Sequence, residues 1–189
     1  MTKSPFITCG VLALMMCLLA CGEDADDCSG AVIEASMAAL SFGDLSVGGE
    51  RGVEGDGLVP ERRTVFLRNR CSAPLVIEQA CLIGAGHNGD PTSPAFFVEY
   101  EPGVEPPVTV RPSRDAAVRV TFDVASPNQD IDGDGNADRD DAVLVIFSNA
   151  SNGQRLPIPV CARAVGDGGA ESAGPCELPE GFDVNAISE

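Results

Sequence analysis

AVRVTFDV, residues 117–124, places Val118, Val120, Phe122 and Val124 on one parity and Arg119, Thr121 and Asp123 on the other. Period two is the signature of a β-strand with one face in a core and one in water, because successive side chains leave a pleated backbone on opposite sides. Seven more short apolar runs surround it: LSFGDLSV (40–47), TVFLRN (64–69), LVIEQACLI (75–83), AFFVEY (95–100), VTV (108–110), AVLVIFS (142–148) and LPIPVCA (156–162). Turn chemistry separates them at Gly48-Gly49, Gly55-Asp56-Gly57, Ala73-Pro74, Asp90-Pro91, Pro106-Pro107 and Ser151-Asn152-Gly153. No stretch keeps apolar spacing at helical period; Ala31 to Leu40 would make a turn or two. Ala142 to Phe147 is apolar on both parities, as in a central strand covered on both faces. Pro157 and Pro159 share a parity and remove two amides from one side, which fits a strand with one unpaired edge. Seven or eight such strands predict an all-β fold, an antiparallel β-sandwich with flexible tails at both ends.

A chain of 189 residues holds one domain plus tails. It opens with Lys3, an apolar run from Gly10 to Ala20 and then the acidic CGEDADDC, the layout of an export signal too short to span a bilayer. Leu18-Leu19-Ala20-Cys21 resembles the lipobox of bacterial lipoproteins. The resemblance implies that Cys21 becomes the lipid-bearing first residue, anchoring a soluble domain to a membrane of the cell envelope, the outer membrane being the expected one. An ordinary cleavage site, with Cys21 a structural thiol, would want a small residue where Leu18 stands. The expected divisions are a signal at 1–20, a lipidated acidic tether at 21–37, the sandwich at 38–165 with an insertion at 125–141, and a tail at 166–189.

Without the signal, eleven arginines face 29 acidic residues, a net charge of −18. Such a field repels nucleic acid and attracts divalent cations and basic proteins. Cys9 and Cys17 leave with the signal and Cys21 goes to lipid, so Cys28, Cys71, Cys81, Cys161 and Cys176 remain. No pair has zinc-type spacing and one histidine completes no Cys/His cluster, so disulfides with one thiol left over are expected.

The succession LSFGDLSVG (40–48), TVFLRN, PLVI (74–77), FFV (96–98), VRVTF (118–122), AVLVIFSN (142–149) and IPVCA (158–162) resembles the ASH-type immunoglobulin-like domains, including the choice-of-anchor D modules of bacterial surface proteins. The family implies a non-enzymatic sandwich for adhesion, assembly or scaffolding and supplies no catalytic residues. With the immunoglobulin-like strand order assumed, Cys28 and Cys71 fall at the pole near the tether, while Cys81, Cys161 and Cys176 fall at the far pole with the acidic and glycine-rich loops. One disulfide is then expected between Cys28 and Cys71 and one within the far set. Cys71 and Cys81 flank a strand spanning roughly 20 Å, too far for a bridge.

DIDGDGNADRDD, residues 130–141, carries the one explicit metal pattern. It offers Asp130, Asp132 and Asp134 at positions 1, 3 and 5, Gly135 at the turn, the Asn136 carbonyl at 7, Asp138 at 9 and Asp141 at 12. A hard cation takes six to eight oxygens, and a short loop gathers them only by coiling around the ion with glycine at its tightest point. The terminal Asp resembles dockerin-type loops. Pro127 before the loop and β-branched residues after it speak against EF-hand helices, so calcium is expected to order a loop between two strands. GAGHNG (84–89) spells GxGxxG, but DPTSP follows and cannot open a helix, so no phosphate site is expected. His87 has no nucleophile or orienting acid that spacing can pair with it. Asn149-Ala150-Ser151 is a formal glycosylation sequon, set aside beside a bacterial-type lipobox. The expectation is a calcium-ordered interaction or adhesion module, not an enzyme, meeting an envelope or surface protein or glycan; a purely structural lipoprotein whose calcium only stabilises the fold is the alternative, and a calcium-dependent hydrolase a remote one.

Overall fold

A computed structural model describes residues 30–47, 59–84, 86–100, 104–166 and 174–187. The signal, Cys21, most of the tether and the 48–58 connection lie outside the described residues. Nine strands are present among the described residues: β1 (Ile33–Ala35), β2 (Leu40–Ser46), β3 (Glu61–Asn69), β4 (Leu75–Gly84), β5 (Phe96–Glu99), β6 (Val108–Val110), β7 (Asp115–Phe122), β8 (Asp140–Ser148) and β9 (Arg155–Val165). They form two sheets, β1-β3-β7-β5 and β2-β9-β8-β4-β6, packed as an immunoglobulin-like sandwich. Six of the seven pairings are antiparallel and β2 runs parallel to β9, a departure from the uniformly antiparallel expectation.

The alternation in β7 points Val118, Val120 and Phe122 into the core, each no more than 2% exposed. Phe122 and Phe96 of one sheet meet Phe42 of the other, with ring centroids 5.1 to 6.1 Å apart. These tilted contacts tie the sheets together beyond the area they bury. The opposite parity is not uniformly wet as expected: Thr121 is buried, because β7 lies between β3 and β5, where Arg62 and Phe97 flank it.

Three other expectations need correction. The tether does not extend to 37: Ala31 and Ile33 are buried, and β1 pairs with β3. Asn152 acts as a substitute strand partner, its Oδ1 accepting from the Ile33 amide (3.1 Å) and its Nδ2 donating to the Ile33 carbonyl (2.8 Å). A side-chain amide thus satisfies backbone groups that a bare edge would leave open. Residues 31–40 hold no helical turn. Second, β9 has one open side only over its first half: Pro157 and Pro159 pair with β8 alone, and β2 joins from Val160 onward. The prolines sit where their missing donors cost no ladder bond.

Third, the C-terminal stretch is not a free tail over 174–187. Phe182, Val184 and Ile187 pack on Val143, Val145 and Phe147 of β8, the outward parity of the strand whose inward parity is Leu144 and Ile146. A strand apolar on both parities needs a cover on each face, and this segment is the second cover. It is stapled through Cys161–Cys176, whose Cα atoms are 5.8 Å apart, and Arg139 Nη1 donates to the carbonyls of Gly174 (3.0 Å) and Pro175 (2.7 Å). Serine at both cysteines is expected to cost about 2–3 kcal/mol, since a 15-residue loop is no longer closed in the unfolded chain. Denaturant titration with a hydrophobic dye reads both the shifted midpoint and the uncovered β8 face; an unmoved midpoint would refute the staple.

Candidate calcium loop and the polar cluster behind it

Asp130 organises the acidic loop. Its Oδ1 accepts from the amides of Gly133 (2.7 Å) and Asp134 (3.1 Å), and its Oδ2 from that of Gly135 (2.8 Å). Gly133 and Gly135 take φ of +80° and +95°, which side-chain-bearing residues avoid and which let the backbone turn its amides inward. Asp138 Oδ2 accepts from the Ile131 amide at 2.7 Å, closing the ring. As a result Asp130, Asp132 and Asp138 bring one carboxylate oxygen each within 4.8 Å of one another. Asp134 and Asp141 are not part of that cluster. Asp134 accepts from the Asn136 amide (2.7 Å), and Asp141 stands at the start of β8, where Arg139 Nε approaches both its oxygens at 2.8 and 3.0 Å, aligned as a hydrogen bond only to Oδ2. Three hard oxygens at one point suit a hard divalent ion.

The loop is pinned to the sandwich at its base. Asn128, buried, exchanges hydrogen bonds with the Ala164 backbone, donating through its amide (2.8 Å) and accepting through Oδ1. The Asp138 amide donates to the Gln129 carbonyl at 2.9 Å. Arg163 on β9 makes a two-pronged pair with Asp44 on β2, Nε to Oδ1 at 3.0 Å and Nη2 to Oδ2 at 2.7 Å, while its Nη1 points at the Ala137 carbonyl, 3.5 Å away. Only guanidinium reaches three acceptors in this way while fixing their spacing.

Behind the loop lies a polar cluster that sequence spacing did not assemble. β4 ends at Gly84, and residues 86–90 double back; Gly86 has φ +82°, and a Cβ there would run into the Asp90 carbonyl. The glycines here therefore serve a tight turn, not a phosphate. Asp90 closes that turn, accepting from the Thr92 hydroxyl (2.7 Å) and amide (2.9 Å), and these bonds hold its carboxyl below the usual range. His87 is carried inward to 7% exposure. Its Nδ1 is 2.7 Å from Asp140 Oδ2, and Asp140 Oδ1 accepts from the Asn88 amide at 3.0 Å. Its Nε2 is 3.1 Å from both Ser126 Oγ and Asn88 Nδ2. Asn88 Oδ1 accepts from the Gln129 amide (2.8 Å), so its NH2 group is the end that faces the ring. Nε2 must then accept, and the ring proton sits on Nδ1, donated to the carboxylate. Ser126, His87 and Asp140 lie 39 and 53 residues apart along the chain, and no local motif signals their meeting.

Among the described cysteines, Cys161 bridges Cys176 and Cys81 is a free thiol, half-buried and pushed up in pKa by that burial. Cys71 is disulfide-bonded; Cys28, the partner expected for it, lies outside the described residues, as does Cys21.

No protein-family model matches the sequence, and no curated protein matches it. Solved structures do resemble the fold. A Porphyromonas gingivalis protein of unknown function is 17% identical with a TM-score of 0.46, the match covering 71% of this chain and 47% of that one. The ASH / PapD-like domain of human CEP192 is 11% identical at TM-score 0.44, covering 86% and 99%. The Pseudomonas aeruginosa CupB2 chaperone is 16% identical at 0.39, covering 69% and 55%. This chain thus spans about half of the first of these proteins. The likeness is one of fold alone.

Proposed function

We propose that this protein is an interaction module of the bacterial cell envelope, held at a membrane, expected to be the outer one, by lipid on Cys21, whose loop at 130–141 takes its working shape with calcium. The observation that carries the reading is the convergence of Asp130, Asp132 and Asp138 on one point at the pole that also holds the His87 turn. Three carboxylates so close repel one another unless a cation neutralises them. Ile131, 58% exposed beside these carboxylates, supplies an apolar contact of the kind a partner protein or glycan would cover. The test is affinity capture from envelope extract with and without chelator: capture that needs calcium supports the module, and identical capture in both arms refutes the role of the ion.

A second reading, calcium as a purely structural clip, draws on the way Asn128 and Arg163 fasten the loop to β9. For either reading, isothermal titration of the mature chain should show one calcium site of weak extracellular type, Kd on the order of 10⁻⁴–10⁻³ M. Calcium at tenfold Kd then adds about 1.4 kcal/mol of stability. Asp130→Asn should abolish the uptake, since Asp130 both meets the ion and shapes the loop; a variant that binds as before would remove the site.

A further inference from the structure

We propose that Ser126, His87 and Asp140 form a serine-hydrolase centre acting on small carboxylic esters with good leaving groups. This goes beyond the binding role above and does not depend on calcium. Three roles define such a centre: a hydroxyl, a base within hydrogen-bond reach of it, and an acid that holds the base in one tautomer. Ser126 Oγ lies 3.1 Å from His87 Nε2, and His87 Nδ1 lies 2.7 Å from Asp140 Oδ2. The Asp140 side chain is 2% exposed and the His87 side chain 8%, whereas Ser126 is exposed and open to a substrate. The bonds from Gln129 and Asn88 leave Nε2 as the acceptor, the state a general base requires. Nε2 has one lone pair, shared between Ser126 Oγ and Asn88 Nδ2, so Asn88 must give way as the base takes the serine proton.

In the reaction, Ser126 Oγ bonds to the ester carbonyl carbon while His87 Nε2 takes the hydroxyl proton. Collapse of the tetrahedral adduct breaks the carbon–oxygen bond to the alcohol, which leaves with that proton. Water then repeats the sequence on the acyl-serine, yielding the carboxylic acid and restoring Ser126. Ser126 and His87 touch the reacting atoms; Asp140 and Asn88 are positioning residues. Activated esters are the substrate class because Ser126 sits on an open loop, which gives little remote binding energy to spend on poor leaving groups.

The test is incubation of the mature chain with a fluorophosphonate, followed by peptide mass mapping. The expected result is one phosphonyl adduct, on Ser126, ahead of the exposed Ser93 and Ser113. His87→Gln should slow that adduct by roughly 100-fold or more. With p-nitrophenyl acetate, Asp140→Asn should lower kcat per folded chain, the folded fraction being read by circular dichroism on the same sample, since partial unfolding alone also lowers apparent kcat at constant KM. A wild-type chain that gains no adduct at Ser126, or gains it evenly over the three serines, overturns the proposal, as does unchanged labelling in His87→Gln.

Discussion

Asp140→Ala is expected to destabilise the domain by about 3–5 kcal/mol, the cost of leaving two buried donors without their acceptor. The carboxylate is 3% exposed and makes two short bonds, to His87 Nδ1 and to the Asn88 amide. Removing it strands an imidazole N–H and a backbone amide together, each of which loses a partner where water does not readily replace it. Thermal unfolding followed by circular dichroism should show Tm falling by on the order of 10 °C. His87→Ala should cost a comparable amount, and the double variant little more than either single one, because both changes remove the same bond. A loss under about 1 kcal/mol for Asp140→Ala would mean that the cluster is solvated and its geometry does not bear on the fold.

Phe122→Ala should cost about 3–5 kcal/mol through the cavity it leaves between the sheets. Phe122 is fully buried, and its ring lies 5.1 Å from Phe96 and 6.1 Å from Phe42. Phe42 belongs to the opposite sheet, so the loss weakens the joint between layers. In urea the midpoint should fall with an unchanged slope, and Phe122→Leu should recover most of the loss. An equal cost for Leu and Ala would show that ring contacts, not volume, dominate there.

These two residues differ in how far the sequence reveals their roles. Phe122 could be read directly, because alternation with Val118 and Val120 assigns a face whatever the strand's neighbours are. Asp140 could not: in the sequence it is one of several interchangeable acids in NADRDD, and only its place at the first position of β8 turns it inward to His87. The same distinction runs through the acidic loop. Asp130 and the glycines follow from local backbone geometry and were legible as a turn that gathers oxygens. Asp141 was legible only as a position in a pattern; it stands in β8 opposite Cys161, and Arg139, two residues before it, takes its carboxylate.

By itself the sequence determined the parity of each strand, the places where the chain turns, and the residue types able to hold a cation, because each depends on neighbours within a few positions. Tertiary structure decided that residues 31–35 complete an edge, that 174–187 covers the outer face of β8, and that Ser126, His87 and Asp140 meet. Those outcomes join residues dozens of positions apart, and their physical cause is the burial and polar pairing available only once two sheets have packed.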